Sequence, residues 1–316
     1  MVDKFMENVL VTGGVGFIGS WLCENLLDEY NVICVDNFIT GKSDNVSHLL
    51  KRKNFKLIKY DVSKPLSYDN DIRYIFHLSS PASPVDYQRF SIETMLVNSL
   101  GTYNMLNLAK SKHARFLLAS TSEVYGDPLK HPQKEEYWGN VNPVGPRSCY
   151  DESKRFAEAL TMAYHRREKL DVRIARIFNT YGPRMRINDG RVIPNFINQA
   201  IHNKPITVYG DGKQTRSFCY ISDMVDGLRK LMFSDVEEMI FNLGNPQEFT
   251  VLELATLIKK ITKSGSEIVF VNLPEDDPSK RKPDIEKAKN DLGWFPKVRL
   301  EKGLKNTIEE FSKNEN

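Results

Sequence analysis

A short apolar run, Asn8-Val9-Leu10-Val11, leads straight into Thr12-Gly13-Gly14-Val15-Gly16-Phe17-Ile18-Gly19, and an amphipathic stretch follows to about residue 28. Three glycines at this spacing, with a strand before them and a helix after, leave few folds open. Gly13 permits a tight turn, Gly16 lets the backbone approach a pyrophosphate, and Gly19 allows the helix to pack closely on the strand. The helix start, with Phe17 and Ile18, offers free N–H groups and the positive end of a dipole to phosphates. Glycines gather in turns anyway, so the context decides. The next apolar run ends on Asp36, whose carboxylate can accept hydrogen bonds from both hydroxyls of an adenine ribose. It would repel a 2′-phosphate, which favours NAD over NADP, and Lys42 close by is the residue that weakens this preference. Asp61-Val62, closing the third run, falls where an adenine edge would be read.

The first 180 residues repeat this alternation. Strand-like runs at 8–12, 32–35, 55–60, 74–78, 115–120 and 172–178 are interleaved with helical patterns at about 17–28, 92–111 and 149–169. Several runs, such as Phe116-Leu117-Leu118-Ala119, are apolar throughout, as strands buried on both faces are. With right-handed crossovers they predict an α/β fold, a doubly wound parallel sheet covered by helices on both sides. After residue 180 turn signals crowd in (Gly210-Asp211-Gly212, Gly244-Asn245-Pro246, Pro274, Pro278, Pro283) and the elements shorten. The expected division gives 1–180 to a dinucleotide-binding domain, with 214–236 packing back on it, and 181–316 mainly to a smaller α/β substrate lobe. The end beyond Phe311 reads as frayed.

Composition sets the outer bounds. An apolar share of 41% supports a real core and excludes disorder for the bulk of the chain. Forty-four Lys and Arg against 41 Asp and Glu leave a charge of +3, too near balance to point to nucleic acid. No apolar run approaches the ~20 residues needed to cross a bilayer, and no signal peptide is expected ahead of the first strand. Cys23, Cys34, Cys149 and Cys219 show no metal-ligand spacing with the six histidines, so no metal is expected. They read as reduced thiols of a cytoplasmic protein.

Tyr150-Asp151-Glu152-Ser153-Lys154 places Tyr and Lys four apart, on one face of a helix. A phenol with a pKa of ~10 is a poor base, and a neighbouring ammonium or a bound nicotinamide cation would lower that value. Such pairs are common on surfaces. This one gains force from Ser120-Thr121-Ser122-Glu123-Val124-Tyr125-Gly126 at the carboxyl end of the fifth run, where open α/β sheets place their active sites.

Glycine fingerprint, hydroxyl-bearing strand end and YxxxK together resemble the short-chain dehydrogenase/reductase superfamily, built on a Rossmann domain. The chain length and second lobe resemble its extended branch, the NAD-dependent epimerase/dehydratase family that modifies nucleotide sugars. Further segments are similar to the UDP-glucuronate decarboxylases (UDP-xylose synthases) within it. They are Ser80-Pro81-Ala82-Ser83-Pro84, the run from Ser120 to Pro128, Glu136-Tyr137-Trp138-Gly139 with Val141-Asn142-Pro143, Phe178-Asn179-Thr180, Gly182-Pro183-Arg184-Met185, Asn188-Asp189-Gly190-Arg191-Val192 and Arg281-Lys282-Pro283-Asp284-Ile285.

The resemblance implies that Thr121 hydrogen-bonds the sugar oxygen that becomes a ketone, that Tyr150 removes its proton with Lys154 lowering the phenol's pKa, and that hydride passes from the same carbon to NAD. A glucuronate oxidised at C4 is a β-keto acid, able to lose CO2 and leave an enolate. The site must then orient a carboxylate or diphosphate and supply a proton to C5. Glu123 and Arg281 fill these two tasks by resemblance to the bacterial bifunctional decarboxylase of aminoarabinose synthesis, and which of them gives the proton stays open. Returning the hydride to C4 gives UDP-xylose, whereas that bacterial relative releases the 4-keto sugar, and this choice stays open too. Around the UDP-sugar the resemblance implies Tyr87, Ser122, Asn179, Arg191, Val192, Arg216 and Arg281, arginine's planar fork suiting the diphosphate. It extends the cofactor set to Asn37, Phe38, Gly41, Lys42, Leu78, Ser80 and Arg186.

Two other enzymes share this scaffold, a UDP-glucuronate 4-epimerase and a dTDP-glucose 4,6-dehydratase. The dehydratases carry Asp-Glu where this chain has Ser122-Glu123, so the acid that protonates a departing hydroxyl is missing here. An epimerase needs no carboxylate at Glu123. A non-catalytic NAD-binding regulator is a third reading, disfavoured by the intact Thr121, Tyr150 and Lys154. The helical stripe Ile92, Met95, Leu96, Ser99, Tyr103, Leu106, with the helix carrying Tyr150, matches the four-helix homodimer interface of the family. His77, at a strand end, reads as structural.

Overall fold

The computed structural model describes residues 6–272 and 280–313. Pro274, Pro278 and the last three residues of the tail lie outside them. Six parallel strands follow the apolar runs: β1 (Asn8–Thr12), β2 (Asn31–Asp36), β3 (Phe55–Lys59), β4 (Tyr74–His77), β5 (Arg115–Thr121) and β6 (Val172–Ile177). A seventh, Ile240–Leu243, comes from the second half of the chain and pairs parallel with β6, so that it closes one edge of the main sheet. In space the order runs from this edge strand through β6, β5, β4, β1 and β2 to β3. The direction of winding reverses between β1 and β4, which opens a crevice at their carboxyl ends.

Alternate residues of each strand feed opposite cores. Val9, Val11, Phe76 and Leu117 pack on one face, with α1 (Phe17–Leu26), while Leu10, Ile33, Ile75, Phe116 and Leu118 pack on the other. The helix expected over 92–111 is in fact broken. After α2 (Pro84–Arg89), α3 (Ser91–Leu96) passes through a π-helical turn at Val97–Gly101 into α4 (Thr102–Lys112). The extra residue in that turn accompanies Asn98, whose amide donates to Ser80 and Ser153 hydroxyls at 3.1 and 3.0 Å. Leu106, expected on the outer stripe, is fully buried in the core instead. The remaining apolar members, Ile92, Met95, Leu96 and Tyr103, are exposed.

α5 (Ser148–Glu168) carries Tyr150 and Lys154 alongside β5. Beyond it, α6 (Val192–Ile201) and small two- and three-stranded ribbons make the second lobe, while α7 (Ile221–Phe233) returns to pack near α1 in the first core. Strand Thr215–Ser217 pairs antiparallel with Glu248–Thr250 and parallel with Lys280–Arg281. The last helix reaches Lys313, two residues past the expected end of order. His77 is buried between the Thr12 and Thr102 hydroxyls at 2.8 and 3.3 Å, and burial brings its pKa down to about 3, so it stays neutral.

Candidate active site

The carboxyl ends of the strands open into a cleft of about 510 Å³ walled by both lobes. Its floor is the glycine turn. Gly13 has φ +71°, and a Cβ there would stand 2.8 Å from the Leu78 carbonyl carbon. At Gly19 a Cβ would meet the Gly13 oxygen at 2.1 Å, so helix and turn can pack this closely only without a side chain. Gly16 caps α1 with no side-chain hydrogen bond, leaving the first-turn N–H groups to a ligand. Gly13, Gly16, Phe17, Ile18, Gly19, Leu78 and Ser80 all face the cleft.

Asp36 accepts from the Val15 N–H at 3.1 Å through one oxygen and from the Phe38 N–H at 2.8 Å through the other. It thus braces the glycine loop to the turn after β2, and burial pushes its pKa up against those bonds. In that turn Phe38 takes φ +66°, Asn37 accepts from the Ile39 N–H at 3.0 Å, and Gly41 lies against Val15. The Lys42 N–H bonds the Val15 carbonyl at 3.3 Å. Asp61 accepts from the Ser63 N–H at 2.9 Å, and Val62 is buried. Arg186 stands apart from this group, donating to Asp86 of α2.

At the other end, the Tyr150 hydroxyl hydrogen-bonds Thr121, and burial holds the phenol well above its ordinary pKa. The Lys154 ammonium donates to the Ala119 carbonyl at 2.8 Å and lies 5.9 Å from the Tyr150 ring centre. Burial lowers its pKa to about 7, opposed by Glu158. Burial is the largest influence on the phenol, and the Thr121 hydrogen bond opposes it. Tyr87 stacks flat on Tyr150, with ring centres 5.0 Å apart, and its hydroxyl is buried without a partner. It buttresses Tyr150 from behind.

Glu123 is gripped by two guanidiniums. Arg147 donates to its Oε2 at 2.5 Å and Arg281 donates to the same oxygen at 3.2 Å. Burial alone would raise the carboxyl's pKa, but Arg281 and Arg147 overcome it and hold it down at about 2. Arg281 is itself buried and also donates to the Ser122 carbonyl. It stands in register beside Arg216 on the neighbouring strand. Its segment is pinned to the first lobe, the Gln133 N–H bonding the Lys282 carbonyl at 2.9 Å and the Asp284 N–H bonding the Gln133 carbonyl at 2.8 Å. Arg191, oriented by Asp189 at 2.5 and 2.9 Å, lines the far wall with Val192 and Asn179.

Two participants escaped the sequence reading. Arg147 has a local signal, standing three residues before Tyr150 in the same helical turn, but its partner Glu123 is 24 positions away. Asn98 gives no signal in spacing or composition. Among the described residues no cluster of three or more His, Cys, Asp and Glu could hold a metal, and no helix is long and apolar enough to cross a membrane.

A family model described as GDP-mannose 4,6 dehydratase matches residues 10–307. The chain belongs to this family. Among family relatives, UDP-glucuronic acid decarboxylase 1 of Xenopus tropicalis is 55% identical over 98% of this chain and 73% of its own length. UDP-glucuronic acid decarboxylase 4 of Arabidopsis thaliana is 57% identical over 96% of this chain and 68% of its own. Among solved structures, a UDP-glucuronic acid 4-epimerase from Bacillus cereus, in complex with UDP-glucuronic acid and NAD, superposes with a TM-score of 0.87 at 28% identity. It covers 97% of this chain and 99% of the epimerase.

Proposed function

We propose that this protein is an NAD-dependent UDP-glucuronate decarboxylase, forming UDP-xylose through a 4-keto intermediate. The observation that carries the reading is Glu123, held ionised between Arg147 and Arg281 beside the Tyr150–Thr121 hydrogen bond. The decarboxylase relatives support it, since they match nearly the whole chain at more than half identity.

The residues present fit NAD. The backbone at Gly13 and Gly19 leaves room only for hydrogen, the α1 N–H groups face the cleft, and Asp36 meets the loop at the ribose end. Held by these residues, NAD would supply the hydride acceptor for C4 and, once reduced, the hydride donor to the same carbon. In this division of labour residues 1–180 with the returning 214–236 segment hold the dinucleotide, and 181–316 mainly hold the nucleotide sugar.

Thr121 and Tyr150 hold the C4 hydroxyl, and Tyr150 takes its proton with the Lys154 ammonium balancing the phenolate. Once C4 is a ketone, the C5–C6 bond can break, its electron pair moving into the C4–C5 enolate as CO2 leaves. Thr121 and Tyr150 then donate to the enolate oxygen. Glu123 and Arg281 assist this loss and the protonation of C5. Arg216 and Arg281 meet the diphosphate, with Asn179, Arg191, Val192 and Ser122 around the rest of the UDP-sugar.

The exposed apolar face of α3, α4 and α5, with Ile92 69% exposed and Phe156 50%, supports a homodimer closed by a four-helix bundle. The four free, buried cysteines suit a cytoplasmic setting. Carboxyl-labelled UDP-glucuronate tests the central reading: the NAD-loaded protein releases the label as CO2, and retention of the label in a nucleotide sugar would overturn it.

A further inference from the structure

An asparagine interrupts the apolar edge strand Ile240–Leu243. Asn242 is fully buried and stands in register with Arg176 of β6. A buried amide is costly unless its oxygen and both its hydrogens find partners, and an apolar residue at this position would avoid the cost. Asn242 finds all three. Its Oδ1 accepts from the Tyr125 hydroxyl at 2.8 Å, while its Nδ2 donates to the Gln133 carbonyl at 3.0 Å and the Asp284 carbonyl at 3.1 Å.

These partners belong to segments far apart in sequence, and two of the segments carry the two halves of an ion pair in the site. Tyr125 ends the short 3₁₀ turn Ser122–Tyr125, which holds Glu123. Its hydroxyl also accepts from Arg176 at 2.9 Å, so the end of that turn is fixed to the main sheet. Asp284 lies three residues beyond Arg281, in the segment that leaves the two-residue strand Lys280–Arg281. Gln133 binds the same segment, its side-chain oxygen accepting from the Lys282 N–H at 2.9 Å. Two ladder positions leave a strand end free to shift, and the grip on Lys282 and Asp284 removes that freedom. Arg281 then reaches back to Glu123 at 3.2 Å and to the Ser122 carbonyl, both on the turn that Tyr125 ends.

We propose that Asn242 is a positioning residue for decarboxylation, its amide tying the turn that bears Glu123 to the segment that bears Arg281 and so setting the contact between them. It acts from behind the site, since the cleft is lined by Glu123 and Arg281 but not by Asn242. This rests on the decarboxylase reading and deepens it, because the two residues assigned to CO2 loss and C5 protonation come from different segments and need a common anchor.

The test uses Asn242→Asp, which keeps the shape and the acceptor for Tyr125 but sets an oxygen against the two carbonyls. CO2 release from labelled UDP-glucuronate by NAD-loaded protein is expected to fall about 10- to 100-fold in kcat, as displacement of a reacting constellation does. KM is expected to change by less than about 3-fold. In an Arg281→Gln background the same substitution is expected to cost less than about 2-fold further, because the residue it places is gone. Losses that multiply in the double variant, or unchanged turnover in the single one, would overturn the proposal. Hydrogen exchange reads the tether without turnover: the Lys282 and Asp284 amides are expected to exchange at least about 10-fold faster in Asn242→Asp, with β1 and α1 unchanged. Unchanged exchange at those two amides would overturn the proposal as well. If Asn242→Asp lacks the native circular dichroism, Tyr125→Phe, which removes only the hydroxyl, decides in the same cycle with an expected loss of about 5- to 10-fold. Failure of the wild-type protein to release CO2 would sink the decarboxylase reading instead, and exchange would still decide the tether.

Discussion

Replacing Glu123 by Gln removes the anion on which Arg147 and Arg281 converge, and the structure sets the size of the effect. The carboxyl stands at about 2 in the fold against an ordinary 4.5, because the two guanidiniums outweigh burial. At ~1.36 kcal/mol per unit, that difference is worth about 3 kcal/mol. Its sign follows from proton counting. Between about pH 5 and pH 2 the unfolded chain binds the proton and the folded one does not, so the contribution is complete above the ordinary carboxyl range and fades as pH falls toward 2. Glutamine cannot titrate, so the variant starts less stable at pH 7 and the gap closes in acid. Asp151 offsets part of the loss, since its pKa is raised partly by the Glu123 charge and falls when that charge is gone. A net loss of about 2–3 kcal/mol lowers the melting temperature of a chain this size by about 3–5 °C. Thermal unfolding followed by circular dichroism at pH 7, 5 and 4 checks it. A gap that is absent at pH 7, or that keeps its size down to pH 4 and below, would refute the reasoning.

Tyr150→Phe keeps NAD binding and lowers turnover by about 10²- to 10⁴-fold, as loss of a general base does; near-normal turnover would remove Tyr150 from the chemistry. Asp151→Asn flattens the alkaline side of the stability profile. The folded carboxyl holds its proton up to about 8, so wild-type stability declines from about pH 4 to pH 8, and melting scans at pH 6 and 9 should show the variant losing less over that interval. Ile92→Glu puts a charge on the exposed face of α3 and yields monomers in sedimentation velocity; an unchanged sedimentation coefficient would move the interface elsewhere.

Much of the first lobe was legible because its physics is local. Strands buried on both faces must be apolar throughout, and β5 reads so from Phe116 to Ala119. The glycine turn is legible because backbone contact at Gly13 and Gly19 tolerates no other residue. The edge strand Ile240–Leu243 was not, because four residues between turn signals carry too little pattern to announce a place in a sheet built 60 residues earlier. The break in the 92–111 helix was hidden too. Within the turn Asn98 reaches Ser80 and Ser153, contacts that exist only after folding. In the site, Tyr150 and Lys154 announce themselves by helical spacing. Arg147 shares their helical turn, but its role comes from Glu123 on another element, 24 positions away. The phenol's environment was also beyond sequence: spacing puts Lys154 near it, but the burial that raises the phenol and lowers the ammonium exists only in the folded chain.

The most direct test of the account is the product formed from UDP-glucuronate in deuterium oxide, followed by proton NMR with NAD-loaded protein. Loss of C6 with delivery of an exchangeable proton to C5 predicts UDP-xylose carrying one deuterium at C5 and no build-up of reduced cofactor. UDP-galacturonate, with C6 retained, would contradict decarboxylation and make the protein an epimerase.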